Sequence, residues 1–259
     1  MFIEERHDKI LELIKDKKRV EVPHLSKMFN ISEDSIRRDL RIMEQRGLVN
    51  RTYGGAVLPN KVAETSLFSD RNTINVDNKE KIAGLASTFI EDNDTIILDG
   101  STTLLRIVPF LDKLKDVTVI TNSIVIAYEI NKTLSNIKLV MLGGIVQQNI
   151  ANTVSIATLK EIEQLNVDKV FVAPCFISAQ WGLSSTTLEE AHIKRAMLQA
   201  GREVFLVSDI NKIGQKAMVN IAPLKAEYTI IIDSDLEVIV KNEFQDYLKA
   251  GLKIIYPDI

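Results

Sequence analysis

Between residues 79 and 256 short apolar runs alternate with helical patterns, and this alternation constrains the fold more than any other feature of the 259-residue chain. Strands are expected at 95–98, 117–120, 137–142, 169–173, 203–207, 228–232 and 253–256. Helices are expected at 79–90, 104–111, 124–132, 154–165, 188–200 and 242–249. A parallel strand cannot reach its neighbour through a hairpin; it needs a crossover, which a helix supplies. Repeated strand–helix units therefore predict an α/β fold with a mostly parallel sheet covered on both faces.

In open sheets of this kind ligands sit beyond the carboxyl ends of the strands, so the loops that follow strands matter most. Four of them stand out. Asp99-Gly100-Ser101-Thr102-Thr103 joins a strand to a helix. Its glycine permits close backbone approach, its hydroxyls donate hydrogen bonds, and the helix start favours an anion, a combination suited to phosphate. The same residues also make an ordinary capped turn. Thr121-Asn122-Ser123 is again polar and again opens a helix, and Gly143-Gly144 follows the third strand. Residues 208–214 (SDINKIG) offer the Asp209 carboxylate and the Lys212 ammonium three positions apart. Taken alone, that pair is a surface ion pair as readily as a ligand clamp.

The start of the chain follows a different pattern. Ile3, Ile10, Leu11, Leu13 and Ile14 mark an amphipathic helix over 3–15, Val20-Glu21-Val22 an extended piece, and Pro23 the first turn of a helix running to Phe29. Ser32 is a natural N-cap for a third helix, with Glu33 and Asp34 in its first turn. At about 100° per residue Ile36, Leu40 and Met43 share one side; Arg38, Arg41 and Gln45 lie nearly opposite, with Arg37 on the flank. Gly47 ends this helix, and Leu48-Val49 followed by RTYGGAV at 51–57 reads as a β-hairpin wing. Arginines so placed can fork onto guanine edges or phosphates, although a solvated basic face has the same composition.

Residues 6–58 resemble the N-terminal DNA-binding domain of the DeoR family of bacterial transcriptional regulators. The helix-turn-helix spacing, SIRRDL at 35–40 and RTYGGAV at 51–57 carry the likeness. It implies a winged helix-turn-helix in which Ser35, Arg37, Arg38 and Arg41 contact DNA, while Arg51 and Tyr53 reach phosphate or groove from the wing. Asp39 falls near the buried side and is expected to pair with a neighbouring arginine.

The four loops, over residues 78–235, resemble the sensor domain of the same family. Its fold is similar to ribose-5-phosphate isomerase, the sugar-phosphate deaminases and the coenzyme A transferases. By that resemblance the effector is a phosphorylated sugar or related metabolite, with Asp99, Gly100, Ser101 and Thr102 as its phosphate loop. Thr121, Asn122 and Ser123 would line the sugar, and Gly143, Gly144, Asp209 and Lys212 would close the site. Glu190 and Lys194 also match family positions, with an intrahelical salt bridge as the alternative. Two stretches depart from the family pattern. Asn152-Thr153-Val154-Ser155 lacks the glycine of a Ser-x-x-Gly element, and residues 174–181 (PCFISAQW) stand where a glycine-rich loop is usual. Their larger side chains would narrow or redirect the pocket. Trp181 would wall the site or simply pack, and Cys175, with no basic neighbour in sequence, reads as a small buried residue.

Composition sets the outer limits. With 46% hydrophobic and 26% charged residues, the chain can bury a full core. No apolar run approaches the ~20 residues of a membrane helix, no apolar signal region opens the sequence, and one cysteine suits a reducing cytosol. Residues 1–60 carry 12 Lys+Arg against 10 Asp+Glu and the remainder 20 against 25, a basic head on an acidic body. His7, His24 and His192 lack metal-ligand spacing, and no nucleophile elbow or paired-cysteine motif is present, so no metal, cofactor or catalytic residue is expected.

The expected organisation is a winged helix-turn-helix domain over 1–58, a polar linker or ordered tether over 59–77, and an α/β effector-sensing domain over 78–259. The expected function is regulation, as a repressor, of a sugar or carbohydrate-metabolism operon. The protein would bind operator DNA as a homo-oligomer, with a phosphorylated metabolite shifting the population of DNA-competent arrangements. Two alternatives remain at this level. One is a sugar-phosphate isomerase or deaminase using Lys212 and Asp99 as acid–base groups. The other is a regulator with a degenerate pocket, controlled by oligomerisation or a protein partner.

Overall fold

The computed structural model describes residues 3–17, 19–45, 48–52, 54–57, 67–236, 241 and 243–257, and the chain divides into two compact units, Met1–Thr65 and Ser66–Ile259. The first unit has helices Ile3–Lys17, Val22–Phe29 and Glu33–Gln45 and strands β1 (Arg19–Glu21), β2 (Asn50–Thr52) and β3 (Gly55–Val57). Pro23 stands in the first turn of the second helix, where its missing N–H is no loss. Asn30 ends that helix in the left-handed region at φ 53°, its N–H on the Ser26 carbonyl. Ser32 Oγ accepts the Ser35 N–H at 3.3 Å and so caps the third helix.

Ile36, Leu40 and Met43 of that helix are buried against Ile10, Ile14 and Leu25 of the first two, with Val49 and Ala56 from the wing. Each large side chain buried this way contributes roughly 1.5–3 kcal/mol. The small sheet is antiparallel in the order β1-β3-β2. Glu21 of β1 faces Gly55 of β3, and a side-chain carbon on Gly55 would come 1.7 Å from the Val20 carbonyl oxygen. The second wing glycine is therefore what lets β3 lie against β1.

The second unit opens with helices Phe68–Thr73 and Val76–Ser87. The first falls inside the segment expected as a tether. Phe68 is buried, and its N–H donates to the Asn149 carbonyl at 2.7 Å. Six residues reading FSDRNT are too short to display a helical period, which is why the sequence conceals them. Residues 59–66 of that segment lie outside the described ones.

The remaining strands are β4 (Thr95–Leu98), β5 (Thr118–Thr121), β6 (Lys138–Met141), β7 (Val146–Gln147), β8 (Asn152–Thr153), β9 (Val167–Val172), β10 (Phe176–Ser178), β11 (Gly182–Ser185), β12 (Gly201–Val207), β13 (Val219–Ala222), β14 (Thr229–Ile231) and β15 (Lys253–Ile255). Seven of them form one sheet in the order β15-β14-β12-β9-β4-β5-β6, every pair parallel. Successive side chains point to opposite faces. Ile97, Val170, Val172, Leu206 and Ile230 enter one buried cluster with helix Leu188–Ala200, while Ile96, Leu98, Phe171, Phe205, Val207 and Ile231 enter the other with helix Val76–Ser87. A sheet covered twice explains why its strands read as unbroken apolar runs.

Two further features escaped the sequence. β7 and β8, two residues each, form a short hairpin, and β10, β11 and β13 form a second, antiparallel sheet on the first of those clusters. FIS, GLSS and VNIA are short and rich in serine or glycine, so neither length nor residue type marks them as strands. β10 lies within residues 174–181, expected to be a loop. Residues 104–111, expected to be helical, lie in a 3-10 helix, Leu104–Lys113, containing Pro109, which has no N–H to give.

From β4 the chain runs outward through β5 to β6, then crosses back to β9 on the other side of β4 and continues through β12, β14 and β15. Direction reverses between β4 and β9, so a crevice opens beyond their carboxyl ends.

Candidate functional sites

In the first unit the third helix divides as its periodicity predicts. Asp39 is buried, and its Oδ2 accepts from Arg6 Nε at 2.6 Å, with His7 Nε2 3.5 Å from Oδ1. The expected arginine partner thus comes from the first helix. Arg37, Arg38 and Arg41 are all exposed. Arg37 is engaged along its own helix, with Nη2 3.1 Å from Glu33 Oε2 and Nη1 3.9 Å from Asp34 Oδ1. Arg38 and Arg41 have no acidic partner among the described residues. Ser35 is half-buried, its Oγ 2.9 Å from Ser32 Oγ.

On the wing, the Arg51 N–H donates to Glu44 Oε1 at 3.0 Å and its guanidinium lies 3.9 Å from Glu44 Oε2. Tyr53 lies outside the described residues. Surface pairs like those of Arg37 and Arg51 contribute about 1 kcal/mol or less, so DNA phosphate can displace them. Among the described residues Arg38 and Arg41 have no such pair to displace.

In the second unit the loops after β4, β5 and β9 meet at the crevice. Asp99 is 1% and Lys194 4% exposed, and Lys194 Nζ donates both to Asp99 Oδ2 and, at 3.1 Å, to the Ala173 carbonyl. The same carboxylate oxygen accepts the Ala173 N–H at 2.9 Å. Asp99 just after β4 and Ala173 just after β9 are thereby tied across the switch point. Burial alone would lower the Lys194 pKa, but Asp99, Glu190 and Cys175 around it together raise it above the usual lysine value.

Lys194 therefore does not make the intrahelical bridge considered from sequence. Glu190 Oε2 instead accepts from Thr187 Oγ1 at 3.4 Å and Ser185 Oγ at 3.5 Å, at the capped start of the helix. Cys175, isolated from bases in sequence, has Lys194 as a neighbour in space, and its thiol lies 3.9 Å from Ser185 Oγ. Trp181 is 42% exposed on the turn between β10 and β11, away from core packing.

Gly100, Ser101, Thr102, Thr121, Asn122 and Ser123 are all buried. The Gly100 N–H donates to Asn122 Oδ1 at 3.2 Å, Thr121 Oγ1 to the Leu98 carbonyl at 2.7 Å, and Ser123 Oγ caps helix Ile124–Thr133. Ser101 Oγ accepts the Leu104 N–H at 3.0 Å. The space over Gly100 holds the Asn152 amide, whose Oδ1 would lie 1.9 Å from an added side-chain carbon and whose Nδ2 donates to the Gly100 carbonyl at 3.0 Å. Asn152 Oδ1 is buried without a partner among the described residues. Sequence reasoning assigned the glycine's freedom to ligand approach, but here a side chain from β8 uses it.

The other two loops follow β6 and β12. Gly143 and Gly144 are exposed and pack on the start of helix Ile156–Ile162: Thr158 Oγ1 donates to the Gly143 carbonyl at 2.6 Å, and Gly144 takes φ +139°. Asp209 and Lys212 pair at 3.6 Å in a 3-10 turn after β12. Asp99 and Lys212, the acid–base candidates of the enzyme alternative, bind different partners. Lys79, with Lys212, Arg106 and Arg71 around it, was not singled out from sequence. Each reads locally as an ordinary surface cation, and only the fold gathers them.

Two family models match the chain: a DeoR-like helix-turn-helix domain over residues 6–62 and a DeoR C terminal sensor domain over residues 74–234. The HTH-type transcriptional regulator GolR of Listeria innocua is 31% identical across 98% of each chain. The glycerol-3-phosphate regulon repressor of Escherichia coli is 28% identical over 94% of this chain and 96% of that one. Ribose 5-phosphate isomerase A of Methanocaldococcus jannaschii aligns with TM-score 0.39 and 18% identity over 54% of this chain and 55% of that one.

Proposed function

The chain belongs to the DeoR family of transcriptional regulators, and on that premise we propose that it is a repressor whose grip on operator DNA responds to a phosphorylated sugar or related metabolite. The protein is a DNA-binding regulator rather than an enzyme. The observation that carries the reading is the outward face of helix Glu33–Gln45, where Arg38 and Arg41 stand exposed, with no acidic partner among the described residues, over a buried apolar stripe. Arg38 and Arg41 enter the major groove. Ser35 and Arg37 contact its edge, and Arg51 and Tyr53 reach phosphate from the wing. Residues 1–58 form the DNA-binding part, and the α/β unit is the sensor.

The effector lies in the crevice between β4 and β9, where Asp99, Gly100, Ser101 and Thr102 meet Thr121, Asn122 and Ser123, with Asp209 and Lys212 at its edge and Gly143 and Gly144 at its outer rim. The name of the glycerol-3-phosphate relative supports a phosphorylated ligand. Repression and a homo-oligomeric state belong to the same reading. β6 ends the sheet order, and Ile124, Tyr128, Val140, Met141, Ile145 and Val146 are exposed on it and around it, an apolar edge suited to a second copy. No helix among the described residues is long and apolar enough to cross a membrane, and the protein works in the cytosol with its operator.

Fluorescence anisotropy with fragments from upstream of its own gene tests this. Binding should weaken steeply with salt as condensed counterions compete, and one phosphorylated metabolite from a panel should shift the affinity several-fold. Failure to bind any such fragment would overturn operator recognition there; affinity unmoved by the whole panel would overturn the sensing role.

A further inference from the structure

Helix Glu33–Gln45 is attached to the rest of the first unit in two ways. Ile36, Leu40 and Met43 press it onto the apolar cluster, and Asp39 ties it to helix Ile3–Lys17. The tie is buried: the Arg6 and Asp39 side chains are 11% and 5% exposed, and Arg6 Nε donates to Asp39 Oδ2 at 2.6 Å. At the other carboxylate oxygen, His7 Nε2 stands 3.5 Å from Oδ1, and neither ring nitrogen has a hydrogen bond among the described residues.

The two attachments restrain different motions. Apolar burial is non-directional, so a stripe of three side chains lets a helix turn slightly about its axis at little cost. A charge-assisted hydrogen bond is directional and weakens steeply once its geometry is lost. For stability alone the pair is a poor choice, since an apolar pair of similar volume often serves as well. What the pair adds is a single orientation. Orientation matters for the exposed side chains on the far side. Arg38 and Arg41 leave the helix about 100° and 200° round the axis from Asp39. At a rim roughly 5–6 Å from the axis, a turn of about 20° carries a side chain about 2 Å sideways. A productive contact tolerates a displacement of only about 0.5 Å.

We propose that Arg6 and Asp39 are positioning residues for DNA recognition: their buried pair sets the rotation at which Arg38 and Arg41 meet the groove. Arg6 acts through the third helix rather than on a base, and it lies on the first helix, outside the helix-turn-helix and the wing. The effect falls on specificity, because base edges are read by directed contacts whereas phosphates are met largely through charge. Without the pair, binding to operator should weaken while binding to unrelated DNA persists. The inference rests on the DNA-reading face proposed above.

The test separates orientation from folding. Full-length wild type, Arg6→Met, the double variant Arg6→Met with Asp39→Leu, and Arg38→Ala are titrated by anisotropy at one salt concentration. Each meets the upstream fragment that the wild type binds and a random duplex of equal length, and hydrogen exchange of the first unit's amides reports folding. Arg6→Met leaves Asp39 buried without its counter-charge and should exchange faster, whereas the double variant should return to the wild-type rate. Net charge is unchanged in the double variant, so it should bind the random duplex within about twofold of wild type. It should bind the operator fragment about tenfold more weakly, the size of one lost bidentate base contact. If its exchange does not recover, Arg6→Lys, which keeps the charge and loses the Nε donor, is read by the same two affinities. A wild-type ratio of operator to random affinity in the folded variant, with that ratio lost in Arg38→Ala, would overturn the positioning role alone. Equal losses on both duplexes would overturn it as well, since the pair would then support binding without orienting the helix. An unchanged ratio in Arg38→Ala would remove the reading face itself, and the positioning role with it.

Discussion

Lys194 and Asp99 show what a single residue can owe to the fold. Both are almost fully buried, and each removes the other's uncompensated charge. Taking away one partner of such a pair typically costs 3–5 kcal/mol, whereas an apolar pair of similar volume is often neutral. Lys194→Met should therefore lower stability by about 3 kcal/mol in chemical denaturation, and adding Asp99→Leu should restore most of it. A double variant no more stable than the single one would show that the pair is not the source. Because the Lys194 pKa is raised, its contribution is complete below the ordinary lysine value and fades only as pH climbs through the raised one. Stability near neutral pH should not depend on its titration. On the DNA-facing side, Arg38→Ala or Arg41→Ala should weaken operator binding about tenfold and flatten the salt slope, measured by anisotropy. Arg37→Ala should do less, since Arg37 already spends its charge on Glu33. Equal losses at all three positions would contradict that ranking. The outward arginines were legible from helical spacing alone; the partner of Lys194 was not, because it lies 95 positions away.

At the scale of elements, the wing separates two glycines that look equivalent in sequence. An added side-chain carbon at Gly54 meets nothing within 4 Å, whereas at Gly55 it would strike the Val20 carbonyl. Gly55→Ala should destabilise the first unit by about 1–3 kcal/mol and weaken DNA binding with it, while Gly54→Ala should stay within about 0.5 kcal/mol. Thermal melting compares the two directly, and similar losses would mean that the contact with β1 is not what requires glycine. The third helix declares itself through its period, and the seven parallel strands as short apolar runs. Helix Phe68–Thr73 and strands β10, β11 and β13 do not, being too short or too rich in serine and glycine to carry a pattern.

At the scale of the molecule, an apolar sheet edge and a switch-point crevice belong to the same α/β unit. If β6 and its surroundings join two copies, Tyr128→Lys with Ile145→Lys should shift the mass seen by light scattering toward the monomer without lowering the unfolding temperature of that monomer. An unchanged oligomer would place the interface elsewhere. By itself the sequence determined the parallel sheet, the helix-turn-helix and its basic face, because unbroken apolar runs and apolar positions three to four residues apart encode buried strands and helices locally. The tertiary structure alone decided that Asp99 meets Lys194, that Asn152 fills the space over Gly100, and that Arg71, Lys79, Arg106 and Lys212 converge. Those meetings follow from strand order, with β9 placed beside β4 after an excursion through β5 and β6. No local preference of the chain records that order.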